Sequence, residues 1–169
     1  MHGYHSIHIT VSPMKNSRTV LLLIAFLCFV MLGVAMYLQH VMNMAPCPLC
    51  VIQRYLFIAI AIGCLIGAAS KTPKIGAAIG LLASLGGLGV AGKHLYVLAN
   101  PGYSCGIDPV ETVLNKIFTA QTMPFMFESY GACENAGEAF VGLSIPQWAF
   151  VWFAIFALGL LWTLLRRKK

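Results

Sequence analysis

Along the chain, long runs of apolar residues alternate with short polar clusters, and the runs are too long and too uniformly apolar to be one buried face of a soluble helix. A helix that crosses a hydrocarbon core needs about 20 mostly apolar residues. Four runs reach that length: Thr19 to Leu38 with no charge, Leu49 to Ala69 with only Arg54, Ile75 to Leu98 with only Lys93, and Ile145 to Leu165 with no charge. The pattern predicts an all-α integral membrane four-helix bundle, a single membrane domain over 1–169 with spans at 19–38, 49–69, 75–98 and 145–165. Connections at 39–48, 70–74 and 99–144 join them. The first run has the position of a signal peptide, but its apolar core exceeds the usual length of about 7–15 residues. Pro46 before Cys47 also makes a poor cleavage site, so this run is expected to be a retained helix.

The period changes inside the longest connection. Val110, Val113, Leu114, Ile117 and Phe118 follow helical spacing, with Glu111, Thr112, Asn115 and Lys116 opposite, which predicts a short amphipathic helix. Such a helix lies flat on the membrane surface or packs on the bundle. Glycines at four-residue spacing, Gly63 with Gly67 and Gly76 with Gly80, predict close helix packing.

Composition narrows the class. With 59% apolar residues, 9% charged residues and a mean hydropathy of +0.82, neither a soluble globule nor a disordered chain is compatible with the sequence. The net charge of +6 does not point to nucleic acid, because the basic residues flank apolar segments and do not interleave with aromatics. Lys15 and Arg18, Lys71 and Lys74, and Arg166, Arg167, Lys168 and Lys169 form three basic clusters. By the positive-inside rule these face the cytoplasm, as tails 1–18 and 166–169 and the connection 70–74. All five acidic residues, Asp108, Glu111, Glu128, Glu134 and Glu138, lie in the connection 99–144, which is therefore expected outside. An even number of spans returns both termini to one side, in agreement. The early residues His2, His5 and His8 have loose spacing and no acidic or thiol neighbour, and are read as a tail. Met14, followed by Lys15, Asn16, Ser17 and Arg18, has the form of a membrane-protein start, and the chemistry below uses nothing from residues 1–13.

The six cysteines fall into two classes. Cys28 and Cys64 lie in span interiors, where a thiol is a small hydrophobe and its thiolate is disfavoured. Cys47, Cys50, Cys105 and Cys133 map outside, in the compartment where disulfides persist. Cys47-Pro48-Leu49-Cys50 is a C-x-x-C at the start of a helix, where free N–H groups and the helix dipole favour the thiolate that attacks in disulfide exchange. Zinc is the competing use of four cysteines, but Cys105 and Cys133 do not form a second C-x-x-C. Arg54 lies one turn beyond Cys50 on the same face, about 6 Å further into the membrane. Either it snorkels to lipid phosphate, or its guanidinium stabilises negative charge on a thiolate or on an oxygen of a reduced cofactor. A cofactor held there must dissolve in lipid, which suggests a quinone. Lys93 and His94 lie at a comparable depth in the third span; His94 is a candidate to donate a hydrogen bond or proton to a quinone oxygen.

Gln39-His40-Val41-Met42, Pro46-Cys47-Pro48-Leu49-Cys50 and Gln53-Arg54-Tyr55 together resemble the first outer loop of the bacterial disulfide bond formation protein B (DsbB) family. His94 to Pro101, Gly131-Ala132-Cys133 and Pro146-Gln147-Trp148 resemble its later parts, so the likeness covers the chain from about Lys15 onward. The resemblance implies an enzyme of the bacterial inner membrane that reoxidises a periplasmic thioredoxin-like dithiol oxidase of the DsbA type. The electrons go to a membrane quinone, ubiquinone or menaquinone, and disulfide formation in folding periplasmic proteins is sustained. It further implies that Cys105 and Cys133 form the disulfide that meets the partner, and that Cys47 and Cys50 exchange with a quinone near Arg54. DsbA-type oxidants sit near about −120 mV, and the periplasm is held oxidising by their quinone-linked reoxidation and not by a thiol buffer.

Three other readings use the same residues. An outward-directed transmembrane thiol reductase needs a relay through the membrane, and neither Cys28 nor Cys64 has a neighbouring cysteine or charge in sequence to activate it. In vitamin K epoxide reductase-like enzymes the loop cysteines precede the C-x-x-C, whereas here they follow it. A non-enzymatic scaffold would use the outer cysteines structurally.

Overall fold

The computed structural model describes residues 13–100, 107–137 and 139–166. Its helices in chain order are α1 (Pro13–His40), α2 (Pro48–Ala69), α3 (Pro73–Ala99), α4 (Ile107–Asn115), α5 (Phe118–Thr122), α6 (Pro124–Phe127) and α7 (Ile145–Leu165). A 3-10 turn over Cys133–Gly137 and a hairpin of β1 (Ala139–Phe140) and β2 (Leu143–Ser144) precede α7. The four apolar runs are α1, α2, α3 and α7, each long and apolar enough to cross a membrane. Proline opens α2, α3 and α7, where its missing N–H would be unpaired anyway. Ser144 caps α7, and its backbone N–H donates to Gln147 Oε1 at 2.8 Å, a capping box.

Apolar side chains face both ways. Phe26, Phe29, Leu82 and Leu158 are exposed on the outer faces, as helices solvated by lipid require, while Leu21, Ile60, Phe153, Phe156 and Leu160 fill the interior. Phe57 of α2 stacks on Phe153 of α7 with ring centroids 4.3 Å apart. Cys28 and Cys64 sit fully buried in this core. The glycine stripe does what its spacing predicts: a Cβ on Gly76 would run into the carbonyl oxygen of Gly63 and the backbone of Gly67, so α2 and α3 meet backbone to backbone.

Helix α2 packs against α1 and α3, and α3 packs against α7, but α1 and α7 meet only sparsely. That leaves a gap between them. At the opposite end from α2's start, Arg18 Nη2 donates to the carbonyl of Ser70 at 3.2 Å, bringing the first basic cluster beside the α2–α3 turn that carries the second.

The amphipathic stretch around Val110–Phe118 is not one helix. Helix α4 stops at Asn115, whose Nδ2 donates to Ser129 O and whose Oδ1 accepts from Ser129 N, both at 2.9 Å. Ile117 is extended, and α5 begins at Phe118. The side chains of this stretch divide accordingly: Leu114 is buried with Val51, Ala120 and Phe127, with Val110 packed at the edge, while Val113, Ile117 and Phe118 are exposed. The β1–β2 turn has positive φ at Val141 (52°) and Gly142 (85°), as a two-residue hairpin of this hand needs. Trp148 Nε1 donates to Phe140 O at 2.8 Å and ties this hairpin to α7.

Candidate active site

The α2 N-terminus brings the C-x-x-C sulfurs together. Cys47 is the N-cap, with extended backbone, and its Sγ accepts the N–H of Cys50 at 3.3 Å, satisfying one of the free donors of the first turn. Both cysteines are free thiols with sulfurs 2.9 Å apart, and the Cys47 thiol is the donor to Cys50 Sγ. The proton of the pair therefore rests on Cys47, whose thiol is held well above the usual range, first by that hydrogen bond and then by burial. Cys50 is the sulfur left to carry charge.

Cys133 arrives from the long connection. The backbone N–H groups of Tyr130 and Gly131 both donate to Pro46 O, at 3.1 and 3.0 Å, and a side chain on Gly131 would collide with the carbonyl of Ala45. This seam of backbone sets the loop on the C-x-x-C turn. Cys133 is buried and disulfide-bonded, and the ligand atoms of Cys47, His94 and Cys133 all lie within 4.8 Å of one another. Such a triangle has the dimensions of a metal site, but a sulfur held in a disulfide is not a thiolate ligand. Cys105 lies outside the described residues.

His94 is fully buried in α3, and its Nε2 is 3.2 Å from Cys133 O and 3.8 Å from Cys47 Sγ. A carbonyl only accepts, so Nε2 carries the proton in that hydrogen bond. Lys93, the other candidate at this depth, is exposed.

The gap between α1 and α7 opens into a cavity of about 370 Å³ against the start of α2. Its walls are largely apolar, from Leu32 and Leu38 on α1 to Trp148 and Trp152 on α7, and its polar contributors include Cys50, Gln53, Arg54 and Gln39. His94 is not among the lining residues; it touches Cys47 instead. Arg54 is only 6% exposed and does not reach away from the bundle. Its Nη1 donates to Gln39 Oε1 at 2.7 Å and to Met126 O at 2.5 Å. Gln39 Nε2 donates in turn to Phe125 O at 3.0 Å, so α6 closes over the arginine. No role for Gln39 follows from the sequence pattern, although a glutamine ending an otherwise apolar span was a usable sign that the span terminates on a polar partner.

A dithiol with its first sulfur buried and its second half-buried, whose second sulfur and adjacent guanidinium line an apolar cavity and whose first sulfur packs on a disulfide-bonded cysteine, is equipped to exchange disulfides and to pass electrons onward. The family model for disulfide bond formation protein DsbB matches residues 17–163. The chain belongs to the DsbB family. A disulfide bond formation protein B from Herminiimonas arsenicoxydans is 56% identical over 92% of this chain and all of its own length. Those from Ralstonia nicotianae and Cupriavidus metallidurans are each 44% identical over 91% of this chain, covering 98% and 96% of their own lengths. DsbB membership makes the chain a multi-pass membrane protein and an enzyme, a disulfide oxidoreductase that hands electrons onward. It favours this reading over the reductase, epoxide-reductase and scaffold alternatives.

Proposed function

We propose that the chain reoxidises a periplasmic thioredoxin-like dithiol protein of the DsbA type and delivers the electrons to a membrane quinone. The supporting observation is the order of groups: Cys133 beside Cys47, Cys47 against Cys50, and Cys50 on the wall of the cavity that Arg54 also lines. In this reading the partner's thiolate attacks the Cys105–Cys133 disulfide at Cys105, the released Cys133 attacks Cys47 of the oxidised C-x-x-C, and Cys50 leaves as a thiolate facing the cavity. The partner's second thiolate then forms the partner's own disulfide and releases Cys105, which attacks Cys133 to restore the loop disulfide and leave Cys47 and Cys50 as the reduced pair. His94, expected at the cofactor, acts in this reading as a positioning residue that holds the Cys133 backbone beside Cys47. The basic ends face the cytoplasm of a bacterial inner membrane, and the C-x-x-C and the long connection face the periplasm.

The cavity fits a quinone headgroup. Its volume falls within the range of about 300–1,000 Å³ typical of small-molecule sites, and its lining is apolar with a few polar groups at one end. Both hydrogen bonds of Arg54 use Nη1, which leaves Nη2 and Nε without a partner among the described residues. Bound there, a quinone supplies an acceptor for two electrons and two protons. The Cys47 and Cys50 thiols give up those electrons and protons, and a disulfide forms between them. Arg54 stabilises the Cys50 thiolate and the negative charge that develops opposite it.

Anaerobic addition of decylubiquinone to the reduced, purified protein tests this. One thiol pair is expected to disappear for each quinone reduced, and none in a Cys50→Ala variant. Full retention of thiols in the unaltered protein would overturn the proposal.

A further inference from the structure

Gln53 is the polar group of this cavity that the proposed reaction leaves without a task. It lies three residues beyond Cys50 and next to Arg54 on α2, so helical spacing puts Cys50, Gln53 and Arg54 along one face, and all three line the cavity. Gln53 is 4% exposed, and its amide nitrogen is buried with no hydrogen-bond partner among the described residues. The contrast with Gln39 is informative, because that amide is held at both ends, by Arg54 and by Phe125 O. A buried amide left unpaired is unfavourable unless a ligand or water completes it.

We infer that Gln53 is a quinone-binding residue whose side-chain amide donates to a carbonyl oxygen of the oxidised cofactor and accepts from a hydroxyl of the reduced one. The inference rests on the quinone reading of the cavity. Oxidised and reduced quinones present opposite hydrogen-bonding faces: a carbonyl only accepts, whereas a hydroxyl also donates. An arginine offers donors alone, so it favours the oxidised or anionic form. A neutral amide carries a donor and an acceptor on one planar group, and with no hydrogen bond to its nitrogen among the described residues, Gln53 presents either by turning that group over. The cavity then holds both reactant and product, with Arg54 biased toward the first and Gln53 serving both.

The test uses the full-length protein in lipid nanodiscs with decylubiquinone carrying 13C at its ring carbonyls. In the unaltered protein the infrared stretch of a labelled carbonyl is expected below its value in protein-free lipid. In Gln53→Met it should return toward that value, and the affinities for decylubiquinone and decylubiquinol should both fall about three- to tenfold, as for loss of one neutral hydrogen bond. Arg54→Met should weaken decylubiquinone more than decylubiquinol. Gln53→Asn, which keeps an amide but withdraws it by one methylene, provides the same reading if the methionine variant does not insert. An unshifted carbonyl band together with unchanged affinities for both forms overturns the role of Gln53. Filling the cavity by Ala35→Trp separates the two levels: undiminished quinone binding in that variant overturns the cavity as the quinone site, whereas lost binding there with an unaffected Gln53 variant overturns this inference alone.

Discussion

Two side chains beside the sulfurs divide the proposed reaction between them, and their geometries assign different halves. Arg54 is buried in the cavity wall and anchored by Gln39 and Met126 O, so its charge is delivered to the cavity side of Cys50. Hydrogen bonds to a charged group contribute about 1.5–3 kcal/mol, so Arg54→Met is expected to raise the quinone concentration needed for half-maximal turnover by roughly ten- to a hundredfold. The same variant should leave the concentration dependence on the dithiol partner unchanged, and steady-state titration of each substrate separately checks both. If quinone dependence stays the same in a correctly inserted variant, a structural role for the arginine is the better account. His94 sits on the other side, bonded to Cys133 O and apart from the cavity lining. His94→Phe is therefore expected to slow transfer between the two cysteine pairs about tenfold, on the scale of a misplaced reacting group, with quinone affinity preserved. Rapid-quench trapping of thiols reads the first quantity and quinone titration the second; a loss confined to quinone affinity would return His94 to the cofactor.

At the scale of elements, the long helices were legible because twenty apolar residues in a row admit few other structures, and the C-x-x-C announced its own chemistry. What periodicity did not convey was where the long connection goes. The stretch 110–118 has one helical repeat, yet Asn115 spends both ends of its side chain on Ser129 and breaks it. Nor does any local signal say that Tyr130 and Gly131 dock on Pro46, or that α1 and α7 stand apart, since those facts depend on residues far away in sequence. The glycine stripe was legible as packing, and it yields a paired prediction. Gly76→Ala places a methyl against the backbone of α2, and overpacking of this kind costs about 1–3 kcal/mol. Gly89, also in α3, has open space around its Cβ position, so Gly89→Ala should gain up to about 1 kcal/mol from helix propensity. Unfolding of the two variants in mixed micelles of increasing SDS content should move in opposite directions; equal shifts would mean that α2–α3 contact does not depend on the glycines.

For the molecule as a whole, sidedness and electron direction are one question, because a soluble partner reaches the loop cysteines only if they lie in its compartment. Arg18 bonded to Ser70 O gathers the N-terminal basic cluster and the α2–α3 turn at one end of the bundle, while the C-x-x-C and the Cys133 loop meet at the other. Reporter fusions at Lys71 and Lys169 are expected to read as cytoplasmic and a fusion at Asp108 as periplasmic; a cytoplasmic Asp108 would remove all four outer cysteines from the compartment of their partner. Given that sidedness, the proposed order rests on where the two cysteine pairs lie. Cys47 is fully buried beneath Cys133, which is itself buried, and Cys50 faces the cavity, so the proposed order has a protein from the aqueous side enter at Cys105 in the long connection. In a Cys133→Ala variant the Cys105 thiolate still exchanges with the disulfide of the oxidised partner, and no second loop sulfur resolves the product, so a mixed disulfide to Cys105 should accumulate. Cys47→Ala should fail differently, since Cys50 still adjoins the cavity but Cys133 has lost the sulfur it attacks, and the loop pair stays reduced once it has turned over. Mass spectrometry of the crosslinked peptides distinguishes the outcomes. Recovery of the partner on Cys47 or Cys50 in the Cys133→Ala protein, in preference to Cys105, would reverse the order and place substrate entry at the membrane pair.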